Sequence, residues 1–158
     1  MRILVLNCGS STLKFQIIET AANPASTAAA NKLARGIVDR IGGAAAFRFE
    51  TGGSVENYDA ATVRDHEDAI AKVLDRTKSH PQLKELDAVG HRVVHGGDQF
   101  TTSVCIDERV IAALDSLCEI APLHNPASVS GIRAARSILG ETMPMVAAFD
   151  TSFHQTIP

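Results

Sequence analysis

The order of the apolar patterns along the chain restricts its fold more than any other feature of the sequence. Two short apolar runs at 2–6 and 13–18 flank a loop rich in glycine and hydroxyl residues, which predicts two adjacent strands. A third strand is predicted over 33–41, and Gly52-Gly53 predicts a hairpin over 44–58. Helical and strand patterns alternate after that point. This order predicts an α/β or mixed α+β domain with a central sheet.

The elements of the second half are predicted from the spacing of apolar residues and from capping residues. They are a helix over 65–79, a strand over 88–94, helices over 107–121 and 125–139, and a strand over 143–149. Asp65 and Asn125 are the predicted N-caps, and Gly140 is predicted to end the last helix. The segment 19–32, rich in alanine and small polar residues, is predicted to be an exposed loop.

Length and charge exclude several classes of protein. The 158 residues suffice for one domain with a core but not for two large ones. A net charge of −3 provides no basic surface for nucleic acid or an anionic membrane. No apolar run approaches the roughly 18 residues that span a bilayer. Cys8, Cys105 and Cys118 lack metal-ligand spacing and are odd in number, so we expect reduced thiols in a cytoplasmic protein.

The loop between the first two strands carries an unusual number of small hydrogen-bond donors. Gly9 allows the backbone to approach a ligand, hydroxyls follow at 10–12, and Lys14 adds a positive charge. The spacing is not that of a Walker loop. Asparagine, glycine and serine are also turn formers, so the local pattern leaves a phosphate site and a plain hairpin turn equally open.

The segment 90–97 places an arginine in a strand of otherwise buried type. A buried guanidinium needs an anion or a carboxylate partner. Strand alternation puts Arg92 and Val94 on one face, so Arg92 can bind a carboxylate or phosphate beside an apolar neighbour. A structural Arg–Asp pair explains the arginine equally well. His91 and His95 are expected to be structural.

Three further polar residues lie at the ends of predicted elements. His124 comes just before a helix N-terminus, where it can act as a neutral donor or cap the turn. Asp150 follows the last strand, where ligands gather in sheets with parallel strands. It can hold a metal ion, orient a nucleophile or cap a turn. His66 is expected to be a solvated helix start.

Together these segments provide an asparagine, a lysine, an arginine and an aspartate at strand ends or helix starts. That set suits phosphoryl transfer, which depends on positioning and charge neutralisation. The segments also strongly resemble the acetate kinase family, in the right order and over essentially the whole chain. The matching stretches are NCGSSTLKF at 7–15, HRVVHGG at 91–97, PLHNP at 122–126 and FDTSFHQT at 149–156. Cys8 and Thr12 are small departures, because alanine and serine are commoner there.

This resemblance implies the actin-like fold of acetate and sugar kinases, Hsp70 and actin. Residues 1–158 would be its N-terminal, ribonuclease H-like domain, a mixed sheet with flanking helices. A C-terminal nucleotide-binding domain would be absent from this chain, which would be a fragment inactive alone. The implied reaction is reversible transfer of phosphate between ATP and acetate, giving ADP and acetyl phosphate, with Mg²⁺ or alternatively Mn²⁺. The full-length protein would be a cytoplasmic homodimer with no nucleic-acid or membrane partner.

The resemblance also assigns roles on the nucleotide side of the site. Asn7 would help hold Mg²⁺, and Lys14 would contact the nucleotide phosphates together with Ser10 and Thr12. Asp150 would be the catalytic carboxylate, which places the acetate oxygen or the metal.

On the substrate side, Arg92 would bind acetate or acetyl phosphate, with His124 nearby. Val94 and Leu123 match residues of the small apolar pocket that receives the acetate methyl group. Such a pocket discriminates by methylene groups, each worth about 1–3 kcal/mol. A propionate- or butyrate-type carboxylate kinase is therefore an alternative, as is a non-catalytic actin-like nucleotide-binding module.

Overall fold

The computed structural model describes residues 1–21, 29–59 and 62–153. The strands in these ranges are β1 (Arg2–Cys8), β2 (Thr12–Glu19), β3 (Asn31–Asp39), β4 (Ala46–Thr51), β5 (Ser54–Asp59), β6 (Ala88–Val93), β7 (Val104–Cys105) and β8 (Met145–Phe149). The helices are α1 (His66–Lys78), α2 (Glu108–Ser116), α3 (Asn125–Leu139) and the single turn α4 (Asp150–Phe153), with a 3₁₀ turn at Pro81–Leu83. None of the helices in these ranges has the length and hydropathy needed to cross a membrane.

All of these strands belong to one sheet, in the order β5-β4-β3-β2-β1-β6-β8-β7. The adjacent strands β1, β6 and β8 are parallel to one another. The remaining pairs are antiparallel, as hairpin connections allow. Parallel pairing needs long crossover connections, and the helical segments after β5 and β6 provide them. The predicted mixed sheet with flanking helices is therefore confirmed.

The two faces of the sheet have different surroundings. Leu4, Leu6 and Cys8 of β1 are buried, whereas the residues between them are only partly buried. On the buried side α3 packs over β1 and β6, and α1 packs over β2 and against α3. A Cβ atom on Gly131 of α3 would lie 2.3 Å from the Cys8 sulfur. We call this side the helix face, and the side on which Asn7 lies the open face.

Turn and capping residues behave as predicted at three places. Gly52 and Gly53 join β4 to β5 with φ angles of 55° and 82°, and positive values at both positions are typical of a two-residue hairpin. Asp65 caps α1, because its carboxylate accepts the Asp68 N–H at 2.9 Å. Gly140 ends α3 with a φ of 89°.

Two helix boundaries differ from the predicted ones. α2 ends at Ser116, and turns replace the helix expected up to residue 121, which leaves Ile120 exposed. The prediction that Asn125 caps α3 is wrong. His124 is the N-cap and makes no side-chain capping bond, while Asn125 is the first helical residue and is fully buried.

The remaining differences concern short or partly described segments. β7 has two residues and the 3₁₀ turn three, too few for a periodic pattern to predict them. β3 begins at Asn31, inside the segment expected to be a loop over 19–32. Residues 22–28 of that loop lie outside the described residues, as do His154, Gln155 and Thr156 of the last motif.

Candidate active site

The three parallel strands bring the main predicted site residues to one end of the open face. The register of β1 and β6 places Asn7 beside Arg92. Arg92 pairs with Ala148 of β8, and Asp150 follows two positions further along the same face. Because side chains alternate along a strand, Asn7, Arg92 and Asp150 project from the open face near the carboxyl ends of their strands. This is the end of a sheet with parallel strands where ligands bind.

Arg92 binds both of its predicted neighbours. Its Nε and Nη2 donate to the Asp150 carboxylate, with Nη2 to Oδ2 at 2.6 Å and Nε to Oδ1 at 2.9 Å. Its Nη1 donates to the amide oxygen of Asn7 at 3.2 Å. The hydrogen bonds from Arg92 to Asp150 raise the pKa of the guanidinium above its usual value. The site therefore holds a fixed positive charge beside a carboxylate and an amide oxygen.

This ion pair is accessible to solvent. The side chains of Arg92 and Asp150 are 48% and 36% exposed. Ion pairs with that exposure typically contribute about 0.2–1 kcal/mol. An anionic ligand can therefore take over the guanidinium of Arg92 at small cost, which leaves Asp150 available for a second partner. Both the structural pair and the anion site that the sequence left open are compatible with this arrangement.

An open groove of about 510 Å³ runs from Arg92 across the neighbouring strands of the open face. Lys14 lies opposite Asn7 in the register of β1 and β2, so its ammonium group projects into the same groove. Polar residues that line the groove are Asn7, Lys14, Gln16, Arg35, Arg48, Glu50 and Arg92, so four cationic side chains stand against one carboxylate. The excess of cationic groups suits a polyanion such as a nucleotide phosphate chain.

The loop that joins β1 to β2 is held from the helix face by a residue that the sequence analysis misassigned. The Gly9 N–H donates to the Thr12 carbonyl at 2.8 Å, which closes the turn. His66, expected to be solvated, is 8% exposed, and its Nε2 lies 2.7 Å from the Gly9 carbonyl oxygen. His66 reaches the loop from the first turn of α1, which begins directly after the N-cap Asp65. Ser10 is exposed at the tip of this loop.

The residues assigned to the apolar pocket differ in their exposure to solvent. Val94 is half-buried at the end of β6. Leu123 is 80% exposed in the connection between α2 and α3. His124 is exposed at the N-cap of α3. All three side chains are therefore at least partly accessible to a ligand.

A second loop, His95–Gly97, lies between these residues and Asp150. The Asn125 side chain accepts the His95 N–H at 3.2 Å and donates to the His95 carbonyl at 2.9 Å. The Gly96 N–H donates to the Thr151 hydroxyl at 3.0 Å. Neither Asn125 nor Thr151 was assigned a role in the site from the sequence, and both hold this loop.

The oxygen atoms of Asn7 and Asp150 fit a magnesium ion by their chemistry. Mg²⁺ commonly takes one or two protein oxygen ligands and completes its shell with waters and substrate phosphates. A carboxylate and an amide oxygen that share one neighbour, Arg92, match that requirement. Within the described ranges there is no group of three His, Cys, Asp or Glu side chains that could form an all-protein metal site.

Two titratable groups near the site, His91 and Cys8, are buried on the helix face. Burial lowers the pKa of His91 to about 4, so its imidazole is neutral near pH 7. Burial raises the pKa of the Cys8 thiol to about 12, so it stays protonated. The buried, neutral imidazole agrees with the expectation that His91 is structural, and the free Cys8 thiol agrees with the expectation of a reduced cysteine.

The sheet order and the position of the Arg92–Asp150 pair define a class of protein before any relative is considered. A mixed sheet in the observed strand order, whose parallel strands end at the Arg92–Asp150 pair and which carries helices on one face, has the architecture of a ribonuclease H-like domain of the actin-like fold. The chain belongs to the acetokinase family, whose sequence model matches residues 2–158.

Curated relatives are similar over the whole chain. The acetate kinase of Thermoanaerobacterium thermosaccharolyticum is 44% identical over 163 residues, and that of Clostridioides difficile is 46% identical over 166 residues. Each match covers 100% of this chain and 39% of the relative. The chain thus spans about two fifths of the length of the curated relatives it matches.

Solved structures agree on the fold. The acetate kinase of Porphyromonas gingivalis matches with a TM-score of 0.84 and 33% identity, over 99% of this chain and 39% of that one. A propionate kinase of Francisella tularensis matches with a TM-score of 0.81 and 36% identity, over 99% of this chain and 38% of that one. The predicted actin-like fold is confirmed.

Proposed function

We propose that this chain is the N-terminal domain of an acetate kinase, which transfers the terminal phosphate of ATP to an acetate oxygen and releases ADP and acetyl phosphate, reversibly. The observation that carries the proposal is the hydrogen-bonded set Arg92, Asp150 and Asn7 at the carboxyl ends of three parallel strands. The acetate kinases among the relatives support the choice of reaction.

In this proposal the guanidinium of Arg92 binds the carboxylate of acetate or the phosphate of acetyl phosphate. Its planar donors suit bidentate binding of such anions. Release of Asp150 from Arg92 then lets the Asp150 carboxylate orient the attacking acetate oxygen. Val94 and Leu123 would contact the acetate methyl group, and His124 would donate a hydrogen bond beside them.

On the nucleotide side, Lys14 neutralises charge on the phosphate chain, and Ser10 and Thr12 donate hydrogen bonds from the loop between β1 and β2. Asn7 and Asp150 would hold Mg²⁺, which supplies positive charge against the phosphate oxygens. Phosphoryl transfer requires such positioning and charge neutralisation. The groove that Lys14 shares with Arg92 supports this arrangement.

The experiment that tests the proposal compares three variants of the full-length protein. Arg92→Ala and Asp150→Ala are each expected to lower kcat/KM for phosphorylation of ADP by acetyl phosphate by about 10²–10³-fold, the loss typical of a removed charge-stabilising group. Arg2→Ala is the matched control, because Arg2 also pairs with an exposed carboxylate, that of Glu19 at 3.3 Å, at the far end of β1. Full activity in either site variant would contradict the proposal.

A propionate kinase is the second candidate. The solved propionate kinase is as similar in fold as the acetate kinases, and Leu123 is exposed, so the described residues do not set the size of the apolar pocket. A series of acetate, propionate and butyrate at matched concentrations separates the two candidates. A higher kcat/KM for propionate would favour the second one.

The remaining properties concern the whole protein. We place a C-terminal nucleotide-binding domain beyond residue 158, because the chain spans about two fifths of its relatives. Measurable turnover of ATP and acetate by residues 1–158 alone would contradict this division of the site.

Three free cysteines agree with a cytoplasmic location. The family resemblance favours a homodimer of the longer protein, which light scattering tests.

A further inference from the structure

The backbone of the loop His95–Gly97 lies next to four residues that the proposed function uses. It follows Val94 directly and connects the end of β6 to the rest of the chain. Arg92 precedes it in β6, His124 lies one residue before Asn125, and Asp150 lies one residue before Thr151. Any shift of this loop therefore changes the spacing of the substrate-side groups relative to one another.

Asn125 holds this loop by two bonds at a position with no access to solvent. It is 0% exposed, and its amide makes the pair of bonds that a neighbouring strand would make to His95. Each bond uses a different atom of the amide, because Oδ1 accepts and Nδ2 donates. An asparagine is thus the side chain that satisfies both backbone groups of His95 at once.

The loop has little freedom to adjust if these bonds are lost. A Cβ atom on Gly96 would lie 2.7 Å from the Phe100 carbonyl oxygen and 3.0 Å from the Phe149 ring. Gly97 has a φ of 61° and donates its N–H to the His95 Nδ1 at 2.9 Å. The backbone is therefore closely packed on both sides of the peptide groups that Asn125 and Thr151 hold.

We propose that Asn125 is a positioning residue for carboxylate binding, which acts through the backbone of His95 to fix Val94 and Arg92 relative to Leu123 and His124. This inference rests on the proposed function. The nucleotide phosphates are assigned to Lys14 and the loop between β1 and β2, whereas the side-chain hydrogen bonds of Asn125 among the described residues go to His95. A change at Asn125 is therefore expected to affect the binding of the carboxylate acceptor more than the binding of the nucleotide.

The test measures KM for acetate, KM for ATP and kcat in the full-length protein. Asn125→Asp keeps the acceptor for the His95 N–H but places a carboxylate oxygen against the His95 carbonyl. It is expected to raise KM for acetate about tenfold and to change KM for ATP by less than about twofold. The ratio of kcat/KM for propionate to that for acetate is expected to rise at least threefold, because the pocket wall at Val94 is no longer fixed.

Ser128→Ala is the matched control. Ser128 lies one turn further along α3, is 3% exposed, and is outside the bonds that hold the loop. Removal of the Ser128 hydroxyl is expected to leave both KM values unchanged, and also the ratio of kcat/KM for propionate to that for acetate.

Thr151→Val is a second test variant, because it removes only the acceptor of the Gly96 N–H at constant size. It is expected to raise KM for acetate about threefold, in the same direction as Asn125→Asp.

Two outcomes overturn the inference separately from the proposed function. If the wild-type protein is active and both variants change KM for acetate and KM for ATP equally, or change only the melting temperature, the positioning role is wrong. If Asn125→Asp does not fold, Thr151→Val decides by the same criterion. If the wild-type protein itself transfers no phosphate to any short carboxylate, the proposed function fails, and the role of Asn125 fails with it.

Discussion

The helix face and the open face of the same sheet have opposite chemistry. The helix face is apolar and closely packed, and one of its buried imidazoles, that of His91, lacks a hydrogen-bond partner at Nε2 among the described residues. The open face carries Lys14 and Arg92 on strands whose alternate residues form the core. A side chain on the open face can therefore be changed with little effect on packing. Stability is determined mainly on one side and chemistry on the other.

Two buried polar side chains, those of His66 and Asn125, connect the helix face to the loops of the site by hydrogen bonds. His66 reaches from α1 on the helix face to the Gly9 carbonyl in the loop beside the groove. Asn125 reaches from the start of α3 to the loop after β6. Both side chains are buried although they are polar. The helix face therefore determines the shape of the site through these two contacts.

The largest effect is expected from the protonation of His91 on the helix face. Its pKa is about 4 in the folded state, against an ordinary value of 6.5. The unfolded chain binds more protons than the folded one between these values, so the free energy of unfolding falls as the pH is lowered through this interval. The loss attributable to His91 is about 3 kcal/mol at completion.

His91→Leu isolates this contribution, because leucine fills a similar volume and does not titrate. Urea unfolding at pH 7, 6, 5 and 4 is expected to show a smaller loss of stability in the variant than in the wild type. At pH 7 the variant is expected to be at least as stable, since an unpaired buried nitrogen is removed. Parallel pH curves for the two proteins would refute the assignment of acid sensitivity to His91.

The next effect concerns the contact between Gly131 of α3 and Cys8 of β1. A methyl group at residue 131 would lie 2.3 Å from the Cys8 sulfur, so Gly131→Ala is expected to lower the free energy of unfolding by about 2 kcal/mol. Cys8→Ala in the same chain should restore part of this loss. Gly43→Ala is the control, because a Cβ there meets no atom within 4 Å. Additive losses in the double variant would show that the two residues do not interact.

A smaller effect is expected at the contact between His66 and Gly9. His66→Ala removes the partner of the Gly9 carbonyl, and the loss of one hydrogen bond of about 1 kcal/mol corresponds to a rise of about fivefold in KM for ATP. KM for acetate should change less. His66→Gln retains an amide donor and should recover part of the affinity. Equal changes in both KM values would indicate a purely structural role.

The parts of the molecule that could be predicted from sequence are those that local pattern determines. The hairpin at Gly52-Gly53 and the cap at Asp65 follow from the backbone needs of a turn and a helix start. The meeting of Asn7, Arg92 and Asp150 could be anticipated, because each stands at the end of a buried strand. The hydrogen bonds from Arg92 to both of the other residues could not be predicted, because they depend on the register of three strands.

His66 and Asn125 show why the rest was missed. Each stands at a helix start, where a polar residue has a sufficient local explanation as a solvated or capping group. Their actual partners, Gly9 and His95, are far away in sequence. Only the packing of α1 and α3 on the sheet brings these groups within hydrogen-bond distance, and a local pattern carries no information on that packing.

The smallest effect is expected on the open face away from Arg92. Arg48, whose side chain is 52% exposed, forms an ion pair with the partly buried Glu50, which also accepts a hydrogen bond from Arg35. The hydrogen bonds from Arg35 and Arg48 lower the pKa of Glu50. Arg48→Ala is nevertheless expected to shift the melting temperature by less than about 3 °C, because Arg48 itself is exposed and Arg35 remains bonded to Glu50. A larger shift, measured by calorimetry, would mean that the open face contributes to stability as the helix face does, and the division between the two faces would no longer hold.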